Sequence, residues 1–538
     1  MTIFKISIIV SLIVFSSHSA KAQQLTLPMN SAFTPDIEEA LYDPSVSFHT
    51  NIRPFVEADV SKVYNLDSSR NAVLFSNPAR RKFDSWLFRK AFNEHFFQVR
   101  TDDFYLDIDP VFAFEPGKDF SNDEDFRFIS TRGVQAQGSI GTKFSFITSF
   151  YENQGTFVNF LDTRIRNTHM VPGQGMARTF YSDGFDYGFS SGHISYAPSK
   201  HLNIQAGHGK NFYGDGYRSL LLSDYAFNYP FLKLNIEAWK LKYSIMYAQF
   251  QDLRVPHGYN IGYQKKYGTF HFLNYAVNNR LQLGLYEAVI WINEDSTGHR
   301  GFDVNYLNPV IFFRPVEFSL GSPDNVLIGL NASYKLRKKN MLYAQFMLDE
   351  IKVHEILSGD GWWGNKSALQ LGFRTFDIAG LNGLSLQSEL NFVRPYTYSS
   401  RTSTLSYGHY NEALAHPLGA NFIENVSILK YHHKRFFAQL KYNFIVYGAD
   451  SAGVNYGNDI WQSYTTRPFE YGVYVGQGNK TEVNIIDASV SYLINPASNM
   501  NLTLGLMKRV AISEIDRNEC TFLYLGFRTS LNNLYYDF

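Results

Sequence analysis

The residues whose types and spacing could do chemistry are few, and each has a plainer reading beside it. The stretch Gly207-His-Gly-Lys-Asn-Phe-Tyr-Gly-Asp-Gly216 has the glycine content of a phosphate-cradling loop. Such a loop follows its Gly-Lys with Ser or Thr, and Asn211 stands there instead. A tight turn or bulge where two backbones approach explains the same glycines. Asp107 with Asp109, Asp349 with Glu350, and Glu412 with Glu424 pair acids as a glycosidase would, but none sits in an acid/base frame. With 18% of the chain charged, such pairs arise by chance. His409, His416, His432 and His433 lack the spacing of a metal centre, and no Gly-x-Ser-x-Gly nucleophile turn occurs. The expectation is a protein that is not an enzyme and uses no cofactor or metal.

What remains is a set of segments rich in rings and amides. They are Gly359-Asp-Gly-Trp-Trp-Gly-Asn-Lys366, Val393-Arg-Pro-Tyr-Thr-Tyr-Ser399, and the run from Tyr407 through His409, Tyr410 and His416 to Phe422. Sugars present C–H faces that lie on aromatic rings and hydroxyls that need planar donors and acceptors. Trp362, Trp363, Arg394, Tyr396, Tyr398, His409, Tyr410 and His416 are therefore candidate polysaccharide-binding residues. The alternative is that these rings form an interfacial girdle or pack the loops down.

The elements that must position them are strands. Leu281, Leu283 and Leu285 alternate with Gln282, Gly284 and Tyr286, and Leu502, Leu504 and Leu506 with Asn501, Thr503 and Gly505. Ala438, Leu440, Tyr442, Phe444 and Val446 make one face of a strand, with Gln439, Lys441 and Asn443 on the other. A soluble sandwich would turn the apolar face to a core, whereas a membrane barrel turns it to lipid. The barrel is favoured because such segments recur across the chain without a domain break and many carry Tyr or Phe at their ends. The chain also ends with Leu534, Tyr536 and Phe538 on one face, as outer-membrane barrels commonly do for insertion. Aromatics at 17% of the chain fit strands and girdles better than helical soluble domains. The fold class is all-β, a transmembrane antiparallel barrel with 16 to 18 strand candidates between 126 and 530.

Lys5, an apolar core over 6–15 and the small-x-small site Ala20-Lys-Ala22 read as a cleaved signal peptide, 1–22, that exports the chain to the outer membrane. No later apolar stretch is long enough for a membrane helix. Residues 23–100, with helical character at 35–42 and 82–97, are expected to be a plug or periplasmic segment, and 101–538 the barrel with long extracellular loops. The formal net charge of zero gives no argument for nucleic acid. The single cysteine, Cys520, allows no intramolecular disulfide and reads as a packing residue.

The segment 207–234, with Gly214-Asp-Gly-Tyr-Arg-Ser-Leu-Leu-Leu-Ser-Asp224 and Tyr229-Pro-Phe-Leu-Lys-Leu234, resembles the central signature of the Wzi capsule-assembly family. The Bacteroidetes branch, which includes RemB-like proteins named for gliding motility, is the most similar. Asn308-Pro-Val-Ile-Phe-Phe-Arg-Pro-Val-Glu317, Gly361-Trp-Trp-Gly-Asn-Lys366, Arg394-Pro-Tyr-Thr-Tyr398 and Ala415-His-Pro-Leu-Gly-Ala-Asn421 extend the likeness over most of the chain. The resemblance implies an eighteen-stranded outer-membrane barrel with an associated helical bundle and a lectin-like role in holding capsular polysaccharide. Its partners would be outer-membrane lipid, surface polysaccharide and the outer-membrane assembly machinery. Two other classes stay open: a structural component of a gliding-motility or adhesion apparatus, with protein partners, and a diffusion porin. Bulky positions such as Arg374, Gln439 and Lys441 argue against an open lumen.

Overall fold

The computed structural model describes residues 24–66, 85–121, 125–181, 183–256, 262–295, 298–310, 324–336 and 339–538. The signal-peptide reading of 1–22, and part of the 82–97 and 308–317 stretches, lie outside them. Eighteen antiparallel strands close into a barrel. In chain order they are β1 Phe104–Asp119, β2 Asp125–Ile140, β3 Phe144–Gly155, β4 Gly184–Ser199, β5 Leu202–Gly209, β6 Tyr229–Ala238, β7 Leu241–Pro256, β8 Tyr263–Ala276 and β9 Leu281–Ile292. They continue as β10 Asn325–Lys335, β11 Asn340–Glu350, β12 Lys366–Phe376, β13 Leu384–Val393, β14 Phe422–His433, β15 Phe436–Ala449, β16 Asn479–Asn495, β17 Met500–Ser513 and β18 Arg517–Thr529. Each pairs with the next, and β18 returns to β1. Strand β1 is absent from the strands read off the sequence, because Pro110 and Pro116 interrupt its pattern.

The barrel is inside out relative to a soluble one. On β17, Leu502, Leu504 and Leu506 are 42%, 53% and 45% exposed, while Asn501 and Thr503 between them are buried. Period-two alternation thus serves an apolar exterior and a polar lumen, as lipid demands. Among the described residues, no helix is long and apolar enough to cross a membrane.

One end carries short turns, such as 200–201, 239–240 and 434–435, and the other carries the long connections 156–183, 210–228, 351–365, 394–421 and 450–478. The lumen is filled from both ends. From the short-turn side enters the segment 24–66, with helices α1 Pro35–Leu41 and α2 Glu57–Val60. Lumen-facing strand residues hold it. Lys335 Nζ donates to Leu41 O, Asp43 O and Val46 O, the carbonyl-rich end of α1, where a cation is favoured. Arg374 pairs with Glu38 at 3.0 Å and Lys242 with Asp59 at 2.9 Å. From the long-loop side, 210–228 dips inward until Phe212 and Tyr213 pair with Arg53 and Ile52 as a two-stranded ribbon.

Helix α3, Trp86–Phe92, lies at the short-turn rim. Asn495 Nδ2 donates to its Lys90 O, and Arg435 Nη1 to Phe92 O. The filling of the lumen is therefore the work of 24–66, 210–228 and the last residues of the chain. The last residues correct a sequence reading. Strand β18 stops at Thr529, so Leu534, Tyr536 and Phe538 form no strand face on the exterior: Phe538 is buried inside the barrel and Tyr536 accepts there from Gln174 Nε2, while Leu534 stays 41% exposed.

Candidate functional site

The lumenal core is built around the loop 210–228. Gly214 has φ +141°, and a Cβ there would lie 2.2 Å from Gln345 Nε2; a Cβ on Gly216 would meet Arg218 O at 2.5 Å. These glycines let the loop pass through a crowded lumen, so the bulge reading of the sequence stands and no phosphate cradle forms. Beyond them, Glu389 on β13 accepts from Tyr217 N and Arg218 N, both at 2.9 Å, and from Tyr343 OH at 2.8 Å. Arg218 donates from Nη2 to Glu424 Oε1 at 2.9 Å and stands 3.2 Å from Asp537 Oδ1. The arginine is thus held between two buried carboxylates, an arrangement that is strongly destabilised when one partner is removed.

Above this core the long loops pack into a cap. Glu412 accepts from Gly173 N at 2.6 Å and Phe227 N at 2.9 Å, joining three loops at one carboxylate. Lys210 Nζ donates to Gly173 O and Asp224 O beside it. Burial pushes the Glu412 carboxyl up to about 7 against the opposing pull of those amides, Lys210 and Arg164.

The eight residues singled out from the sequence fall into this cap and core, not onto one open surface. Trp362, Trp363 and Tyr396 are buried together with Val473. The ring of Trp363 lies 4.9 Å from that of Tyr464, with the Arg467 guanidinium 3.9 Å above its centre. Arg394 Nε donates to Asn365 O at 2.6 Å and its Nη2 to Trp362 O. Tyr398 is fully buried, its hydroxyl donating to Leu220 O at 2.7 Å. His409 accepts at Nδ1 from Gln251 N, so its Nε2 donates to Asn228 O; burial holds the ring neutral, with its value lowered to about 3. Tyr410 stacks edge-on against Phe227. His416 accepts at Nδ1 from Leu418 N and turns Nε2 to Glu424 Oε2 at 2.7 Å, inside the lumenal core. Each is engaged by the protein itself; the first four share one neighbourhood, and His409 and Tyr410, with ring centres 4.4 Å apart, another.

The rings that do face outward belong to the segment that covers this tryptophan cluster. Phe469, Tyr471 and Tyr474 are 56%, 52% and 63% exposed. Their backbone is held from beneath, since Trp363 N donates to Glu470 O, Gly472 N to Asp360 O, and Val473 N to Gly361 O. The sequence signal was the ring-rich run Phe469-Glu-Tyr-Gly-Val-Tyr474 within the long 449–481 loop. Among the described residues no three His, Cys, Asp or Glu side chains gather as a metal set.

No protein-family model matches the chain, and no curated protein matches it in sequence. Among solved structures, it is similar to Wzi of Escherichia coli, described as an outer-membrane protein involved in group 1 capsule assembly and as a carbohydrate-binding β-barrel. The alignment covers 94% of this chain and 100% of Wzi at a TM-score of 0.53 and 12% identity. OprD of Pseudomonas aeruginosa aligns over 82% of the chain and 98% of its own at a TM-score of 0.41 and 12% identity. For OccK1 of the same organism the coverages are 79% and 98%, with a TM-score of 0.44 and 10% identity. The chain has a Wzi-like barrel fold.

Proposed function

We propose that this protein is an outer-membrane barrel that holds surface polysaccharide, lectin-like and non-catalytic, of the Wzi kind and nearest to the Bacteroidetes branch. The long loops then face the medium and the short turns the periplasm, the usual asymmetry of such barrels. The observation that carries the reading is the cap. The outward aromatic ridge of Phe469, Tyr471 and Tyr474 rests on the buried cluster of Trp362, Trp363, Tyr396 and Val473. Pre-positioned rings lose little freedom when a sugar face stacks on them, at about 1 kcal/mol per ring beyond area burial, and a repeating polymer multiplies weak contacts through avidity. Trp362, Trp363 and Tyr396 act here by holding the ridge. The carbohydrate-binding character described for Wzi supports the same direction.

The test is a cell-surface one. Replacing Tyr471 and Tyr474 by Ala should release surface polysaccharide into the medium while the barrel keeps its faster gel migration when unboiled. Full retention of polysaccharide by a correctly inserted double variant would defeat the reading. Loss of surface spreading with polysaccharide retained would put the motility or adhesion scaffold ahead.

A further inference from the structure

One joint in the barrel differs from the rest. On β1 the even-numbered residues direct their backbone groups toward β18, as Phe120 N shows by donating to Thr521 O, whereas Asp103 O accepts from Gly141 N on the β2 side. Lys118 faces Leu523 and Phe114 faces Phe527, which places Pro116 opposite Leu525 in what should be a hydrogen-bonded pair. Proline has no N–H to give, so the Leu525 carbonyl loses its ladder partner, and Leu525 and Gly526 form no pairing with β1. Pro110 lies in the same row. Pairing with β18 ends at Ala113, and the short strand Phe97–Arg100 takes over the seam only from Ile108 downward. Among the described residues, no strand pairs with 109–112 on that side. Prolines belong on edges, and here two of them make an edge out of a strand that the barrel must close.

Side chains reinforce the joint at its loop end, where Asp119 accepts from Thr521 N at 3.3 Å and from Cys520 Sγ at 3.6 Å, and less so beside Pro116. There Gly117 lies opposite Tyr524 and Gly526 opposite Glu115, and the lumen-side contact is the Glu115–Arg528 ion pair at 2.7 Å. On the outer side the rings of Phe112 and Phe527 lie 4.8 Å apart. Directly behind is a cavity of about 310 Å³, lined on the seam by Ala113, Glu115, Phe522, Tyr524 and Arg528. Its far wall includes Gln439, Lys441, Asp487 and Ser489. The volume is at the lower end of the range for small-molecule sites, roughly 300–1,000 Å³.

We propose that the β1–β18 seam opens laterally and admits to this cavity the head of a membrane amphiphile whose tail stays in the lipid. The exterior of the seam carries exposed Phe114, Leu523, Leu525 and Phe527, suited to an alkyl chain. The charges inside are already engaged, Glu115 with Arg528, Lys441 with Asp487 and Asp537 at 3.3 and 3.0 Å, and Lys430 by donating to Ser31 O at 3.0 Å. What they leave available are the amide of Gln439 and hydroxyls such as those of Ser489 and Tyr524. The head is therefore neutral and hydroxyl-rich, of one or two sugar rings. The cavity also shares Asn30, Val111, Phe437 and Thr529 with a vestibule of about 1,010 Å³ at the short-turn end, so entry from below must be told apart from entry through the seam.

The experiment uses the full chain in phospholipid bilayers with a dodecyl maltoside carrying a diazirine on its sugar, adducts being mapped by mass spectrometry. Adducts on Gln439 and Tyr524 are expected. A disulfide between Ala113→Cys and Arg528→Cys, which face each other across the seam, made in a Cys520→Ser background, should cut them at least fivefold, and reduction should restore them. Pro116→Val returns the missing donor. It should slow hydrogen exchange at Leu523 and Phe527 and lower the adducts without any new cysteine, which keeps the test sound if the disulfide variant does not fold. Absence of adducts in the unmodified protein, or adducts unchanged with the seam locked or Pro116 replaced, overturns the proposal; in the locked case entry is from the vestibule.

Discussion

At the residue scale the informative groups are those that burial has turned from chemistry to architecture. Glu412 is one. Its folded value is raised to about 7 from the ordinary 4.5. The stability it contributes is thus present in full below the ordinary value and is lost as pH rises through about 7. Exchange at the Gly173 and Phe227 amides, corrected for its intrinsic pH dependence, should accelerate as pH rises from 4.5 to about 7 and level off above that, and Glu412→Gln should flatten that change. An unaltered profile in the variant would assign the pH response elsewhere. Trp363 is another. Its truncation to Ala removes a packed ring, at a cost of about 3–5 kcal/mol, concentrated in the cap. Limited proteolysis should then cut within 450–478 while the barrel still migrates as folded. Equal resistance of variant and parent would mean that the ridge does not depend on it.

At the element scale the loop 210–228 and the strands it touches form one unit. Arg218 is 2% exposed and faces Glu424 and Asp537. Arg218→Met leaves buried Glu424 without its arginine and Asp537 with Lys441 alone, a change worth about 3–5 kcal/mol for a broken buried pair. The expected outcome is a lowered thermal midpoint for loss of the unboiled gel form, partly recovered when Glu424→Gln is added. If the second change deepens the loss instead, the pair is not what Arg218 serves.

For the whole molecule, the two-ended filling of the lumen sets transport behaviour. The intact protein in planar bilayers should show little steady conductance. Helix α3 lies at the rim, so removing it should alter conductance far less than removing 24–66. Even the latter leaves 210–228 across the lumen, and the opening expected is partial and noisy. A large steady current through the unaltered protein would return the porin reading.

The strand pattern was legible in the sequence because a barrel in lipid makes every residue face either hydrocarbon or lumen, and that choice repeats with period two. The one strand that escaped, β1, carries Pro110 and Pro116, whose meaning is positional: they lie on the seam, and a seam exists only once eighteen strands have closed. The wealth of rings was legible as well, and the loops that carry them. Which rings face outward was not. Tyr398 is buried by a backbone carbonyl 178 residues away in sequence, and Trp363 by Tyr464 and Arg467 from another loop. The last aromatic residues read as an exterior face until the tertiary structure turned them inward, where Tyr535 meets Asp224 at 2.7 Å. Periodicity is a local consequence of the solvent on each side of a strand and can be read from neighbours in the chain. The exposure of a loop residue depends on which distant segments come to lie over it, and only the closed barrel decides that.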